Sequence, residues 1–193
     1  MPNTNPMDNP SNELYGQVVN GYQEPGAAAP PSTGAARAAR YFSTDASTSA
    51  SLGILGGTVN TTIRLNNPAG SGTNIHVASI GGTIDVSLSL LSGFSGQVTM
   101  LSGGTLASPS SITASNLYIT SPVAGIAAAT SSTSAPSGGN TFMIYPAFPS
   151  PFRFTYTGGI IIPPGQWLVV NVRGSLTLLG VLGTRANLTW WEG

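Results

Sequence analysis

Residues 152–191 read FRFTYTGGIIIPPGQWLVVNVRGSLTLLGVLGTRANLTWW, and this stretch decides the fold. Phe152, Phe154 and Tyr156 alternate with Arg153, Thr155 and Thr157. A period of two is what a strand with one buried face requires, because successive side chains point to opposite faces. Gly158-Gly159 reads as a turn. Ile160 to Ile162 then run into Pro163-Pro164-Gly165, and since proline lacks an N–H and fixes φ, that triplet ends a strand and turns the chain. Trp167 to Val172 and Ala186 to Trp190 alternate again, with Leu176 to Val181 a shorter apolar run between them. The stretch predicts four or five strands, too close together for crossover helices, so sequence neighbours are expected to pair antiparallel in a meander or Greek key. Trp190, in phase with Leu188 and Ala186, is expected inside, which turns Trp191 outward.

Upstream the same signals continue. Val59, Thr61, Ile63 and Leu65 alternate with polar residues, and Asn66-Asn67-Pro68-Ala69-Gly70-Ser71-Gly72 is a loop dense in turn formers. Ile75 and Val77 start a strand, Gly81-Gly82 reads as a turn, and Ile84, Val86, Leu88 and Leu90 give the cleanest alternation in the chain. Short strands fit Gln97 to Leu101, Ser111 to Ile119 and Asn140 to Tyr145, while Ala124 to Gly139 reads as a long loop or a weak surface strand. About ten strands with turn signals every 8–12 residues favour an all-β fold, a jelly-roll-like antiparallel β-sandwich.

Residues 1–40 differ in kind. Prolines, asparagines and the tract AAAPPSTGAARAAR leave too few apolar groups for a core, so this segment is expected to be an extended N-terminal arm on a sandwich domain of residues 41–193. Tyr15, Val18, Val19 and Tyr22 carry its concentrated apolar content and are the candidate anchors, with Arg37 and Arg40. Ser32 or Thr33 is placed to cap a short helix through Ala35 to Arg40.

Composition narrows the function. Charged residues are 6% of the chain and net charge is zero, against about 25% charged in an ordinary soluble domain. So few charges leave a surface poorly defended against association, so homo-oligomerisation is expected. Without a Lys/Arg cluster there is little electrostatic basis for nucleic acid as a partner. No apolar run reaches the ~18 residues of a membrane span, and MPNTNPMDNP has no signal-peptide pattern, so the expectation is synthesis in the cytoplasm and no membrane.

Chemistry is sparse as well. There are no cysteines and one histidine, His76, on a predicted strand and read as a surface or interface residue. Asp85 and Glu192 are the carboxylates available to the body of the fold, and nothing in their spacing brings them together as an acid/base pair. Such a set supplies neither a structural zinc site nor a carboxylate cage for calcium. The Gly-Gly pairs at 56-57, 81-82, 103-104, 138-139 and 158-159 precede neither Lys-Ser/Thr nor a helix start, and read as turns rather than phosphate cradles. The expectation is therefore no catalytic residues, no metal and no cofactor.

Leu65-Asn66-Asn67-Pro68-Ala69-Gly70-Ser71-Gly72-Thr73-Asn74-Ile75, the later Gly159-Ile160-Ile161-Ile162-Pro163-Pro164-Gly165 and Leu188-Thr189-Trp190-Trp191-Glu192 together resemble small β-rich structural proteins of tailed bacteriophages. In those an NPxGSG loop opens the domain, a PPG turn precedes the penultimate strands and a TWxE strand closes it. The resemblance implies a virion component such as a capsid decoration (cement) protein or head fibre, with a jelly-roll body, a threefold position and no catalytic residues. Its partners would be the major capsid protein or other virion proteins and its state a homotrimer; Trp191, turned outward by the strand phase, is expected at a subunit contact. Two alternatives stand beside it. One is a surface fibre subunit whose arm adds a strand to its neighbour. The other is a receptor- or glycan-binding tip using loops 66–74 and 103–111.

Overall fold

A computed structural model describes residues 31–88 and 92–193. The anchors Tyr15, Val18, Val19 and Tyr22, and Leu90, lie outside the described residues. One short helix, α1 (Pro31–Arg37), precedes eleven strands: β1 (Tyr41–Leu52), β2 (Gly57–Asn66), β3 (Ile75–Leu88), β4 (Phe94–Ser102), β5 (Ser110–Ile112), β6 (Ser115–Asn116), β7 (Ala128–Ser132), β8 (Asn140–Pro146), β9 (Pro151–Ile162), β10 (Trp167–Leu176) and β11 (Gly180–Glu192). They form two packed antiparallel sheets, ordered β6-β1-β11-β3-β9 and β5-β7-β2-β10-β4-β8. The protein is an all-β sandwich.

The quoted stretch supplies the middle of both sheets, in a way its own sequence does not announce. It holds three long strands rather than four or five, and none of the three pairs with its neighbour in sequence. β9 ends one sheet, β10 lies in the middle of the other, and β11 returns to the first. Four long ladders nest instead, β1 with β11, β2 with β10, β3 with β9 and β4 with β8, and two more, β3 with β11 and β4 with β10, join these pairs side by side, all antiparallel.

Phase along the strands came out as the alternation predicts. Trp190 has no exposed surface and stacks on Phe42, its register partner on β1, with ring centroids 6.0 Å apart. Around it Ile63, Leu65, Val98, Met100, Val170, Val172, Leu182 and Leu188 form the core between the sheets. A buried polar contact crosses it. Thr61 Oγ1 lies 2.9 Å from Thr184 O and 2.8 Å from Thr184 Oγ1, so a buried hydroxyl pair ties β2 to β11 with its hydrogen bonds satisfied. Trp167 lies elsewhere, on the outer side of its sheet with Leu101, Leu106 and Val169, where its Nε1 donates to Gly104 O at 2.9 Å.

Two of the Gly-Gly pairs are not turns. Gly81-Gly82 sits inside β3, where a Cβ at Gly82 would collide with Arg185 O and come 2.7 Å from Phe152 Cζ, so glycine here admits the neighbouring strands. Gly158-Gly159 lies inside β9 at a bulge, with Thr157 at φ 47 and Gly158 at φ 86.

Candidate functional site

α1, the described end of the segment expected to be an arm, lies against β1, β9 and β11. The helix begins at Pro31, a residue pre-set for a first turn, and ends sooner than Arg40. Arg40 N–H donates to Ala35 O and Ala39 N–H to Ala36 O, with Ala39 at φ 55: the doubly bonded left-handed finish that usually employs glycine. Arg37 is exposed in the last turn, where a cation suits the helix dipole, and Arg40 is exposed just beyond.

Beside α1 sits Trp191. It points outward as expected but is half-buried by its own chain: stacked on His76 at 5.4 Å and 8°, edge-on to Tyr41 at 6.4 Å. Its six-membered ring occupies the space that a Cβ at Gly158 would need. The bulge in β9 therefore exists to seat this ring. A crevice of about 120 Å³ opens here between Ser32, Trp191 and the β9 residues Arg153, Thr155 and Thr157.

Further along the same face is a broader groove of about 630 Å³. Asp45 from β1, Arg185 and Asn187 from β11, Gly81 from β3 and Arg153 from β9 line it. Gly81 leaves the floor open for Asn187, whose Oδ1 would stand 2.7 Å from a Cβ there. Two guanidiniums and a carboxylate on a hydroxyl-rich floor suit a polar ligand that both donates and accepts hydrogen bonds. Sequence reading missed this groove. The outward phase of Arg153 and Arg185 was visible, but that β1, β11, β3 and β9 lie side by side was not.

Asp85 and Glu192, the carboxylate pair weighed from the sequence, are far apart, and Asp45 on β1 is a third carboxylate of the sandwich. Asp85 is paired with Gly183 and Glu192 with Ile75, nine residues away along β11, or about 30 Å at ~3.3 Å per residue. Glu192 is only 5% exposed and serves the fold: its two carboxylate oxygens accept from the backbone N–H groups of Ile126 and Ala127, each at 2.9 Å, and Trp190 Nε1 donates to it at 3.3 Å. Among the described residues no three of His, Cys, Asp and Glu come together as a metal site, and no helix is long and apolar enough to cross a membrane.

The loops proposed as a tip lie together at one end. Asn66 pairs with Trp167, whose carbonyl accepts from Gly103 N–H, so 67–74 and 103–109 flank the start of β10. Buried Asn67 fixes the first of them by donating to Thr73 O and Ile162 O, both at 2.8 Å, and accepting from Ser71 Oγ at 2.6 Å. Comparison with known protein families, with curated proteins and with solved structures finds no match for this chain.

Proposed function

We propose that this chain is a non-enzymatic structural protein of a phage virion, made in the host cytoplasm, that decorates or cements the capsid through its N-terminal arm and the faces of its sandwich. Its partners on this reading are the major capsid protein or other virion proteins, and it works as a homotrimer. The observation that carries the reading is the nested pairing of β1 with β11, β2 with β10, β3 with β9 and β4 with β8. This order supports reading the sandwich as jelly-roll-like, an architecture of many capsid and lectin domains. The low charge of the chain and the arm rooted beside Trp191 support it further.

The test is co-sedimentation with bare phage shells of the full chain and of a chain beginning at Pro31, which keeps α1. Binding by the full chain and at least a tenfold loss on truncation is the expected result. Equal binding by both, or by neither, removes the arm from its assigned role.

A second reading, receptor or glycan binding, is favoured by the 630 Å³ groove on the β1/β11/β3/β9 face and not by loops 66–74 and 103–111, none of whose residues line it. It predicts that Arg185→Ala abolishes binding to a glycan array while leaving shell binding unchanged.

A further inference from the structure

The two lateral sides of the sandwich are finished differently, and the difference points to a surface. On one side β5 and β6, three and two residues long, cover β7 and the start of β1. On the other, β8 and β9 each have a single partner, so both sheets end there with an unpaired edge. These are long strands of seven and twelve residues. No charged residue falls between Asn140 and Phe152. Lysines, short strands and covering loops are absent from this edge; its protection is confined to β9, in Pro151, Arg153 and the bulge at Thr157–Gly159, and β8 has no charge at all.

Apolar groups collect along the same side. Phe142 is 41% exposed, Ile144 58%, Phe148 71% and Ile161 53%. Between the edges the core itself shows through. Phe152, Phe154 and Tyr156 from β9 and Met143 and Tyr145 from β8 are only partly buried, with Tyr145 stacked on Phe154 at 4.3 Å. Aromatic and methionine side chains in an uncharged setting are what the centre of a protein interface contains.

We infer that the β8/β9 side is the surface through which copies of this chain bind one another, three copies turning their unpaired edges and aromatic seams toward a common axis. This deepens the homo-oligomer in the reading above and names its contact. Size supports it. Twelve residues at ~3.3 Å give about 40 Å of length, and two sheets ~10 Å apart with their side chains give about 20 Å of width. That is roughly 800 Å² per copy, the area of a stable interface. A second body is the occupant that fits. It presents two edges at once, whereas one extended segment, including the chain's own arm, covers only one.

The experiment is sedimentation of the full chain, wild type against Ile144→Lys, Ile161→Lys and, as a control on the opposite side, Ser111→Lys, with melting to show that each variant folds. Wild type and the Ser111 variant should remain a discrete multimer at micromolar concentration. The two isoleucine variants should dissociate at least tenfold more readily. Because the chain has no cysteine, Phe148→Cys should form disulfide-linked copies under mild oxidation and Ser111→Cys should not. A monomeric wild type overturns the inference, as do isoleucine variants that assemble normally or equal cross-linking by both cysteine variants. Loss of the multimer on removing residues 1–30, with the lysine variants of the full chain unaffected, would assign assembly to the arm and overturn it equally. Shell binding is scored separately, so either claim can fail alone.

Discussion

The capped and open sides of the sandwich hold the same two sheets and use opposite means to end them. On the capped side the segment from β5 to β7 runs from one sheet to the other and back, and polar side chains fasten it. Asn116 Nδ2 donates to Ala39 O at 2.8 Å, Thr44 Oγ1 to Thr113 O at 2.9 Å, and Glu192 takes the N–H groups of Ile126 and Ala127. On the open side the fasteners are aromatic rings and sulfur. Tyr156 Oη reaches Met100 Sδ at 3.3 Å and Met143 Sδ at 3.5 Å. Apolar side chains are exposed on both sides, Leu117, Tyr118, Ile119, Val123 and Ile126 on the capped one; what sets the open side apart is that its apolar groups flank long unpaired strand edges.

Four measurements sharpen or break this contrast. The largest effect is expected from Trp190→Ala, which empties the core behind the capped side and should cost about 3–5 kcal/mol in denaturant unfolding. A wild-type midpoint would mean that the inward phase of β11 is wrong. Glu192→Ala should cost about 1–3 kcal/mol, since it strips the acceptor from the buried Ala127 N–H and from the part-buried Ile126 N–H. It should also speed hydrogen exchange at Ile126 and Ala127 while leaving β8 and β9 protected; uniform loss of protection would deny the capped side its separate fastening.

Ala39→Gly should stabilise the root of the arm by about 0.5–1 kcal/mol, because alanine at positive φ carries a strain that glycine does not. No gain in melting temperature would count against that helix ending. Tyr156→Phe should change stability at neutral pH by less than about 0.5 kcal/mol. Its effect belongs to alkaline pH. Burial, then hydrogen bonding and repulsion from Tyr145, raise the Tyr156 phenol well above its ordinary 10.0. The unfolded chain therefore ionises first, and stability present below about pH 10 is lost as pH rises beyond it. The phenylalanine variant should show a shallower alkaline decline, and identical pH curves would rule out this tyrosine as the cause.

Much of the strand content was legible because alternation directly encodes which face is buried. Leu188, Trp190 and Ala186 needed only their spacing. Pairing was not legible, and the reason is physical: a short connection such as 163–166 serves equally as a hairpin turn or as a crossing between stacked sheets, and only the joint burial of both sheets chooses. The glycine pairs failed similarly, since Gly82 is required by strands that approach from elsewhere in the chain and Gly158 by a ring on β11. Glu192 looked like a spare carboxylate because its partners, Ile126 N–H and Ala127 N–H, are backbone groups that no side-chain pattern reveals. The arm anchors Tyr15, Val18, Val19 and Tyr22 fall outside the described residues, and of the proposed contacts only the placement of Arg37, Arg40 and Trp191 is seen.

The nested ladders also set an order in time. Tyr41 Oη donates to Thr189 Oγ1 across 148 positions of sequence, so β1 has no long partner until β11 has been made. At ~5–20 residues per second that is a wait of roughly 7–30 s, during which the edge of β1 is unpaired. With every ladder joining strands distant in sequence, folding should be slow for this chain length. Crowding by sister chains during synthesis is then the moment of greatest danger. Cooler, slower expression should raise the yield of soluble protein more than any stabilising substitution in the core.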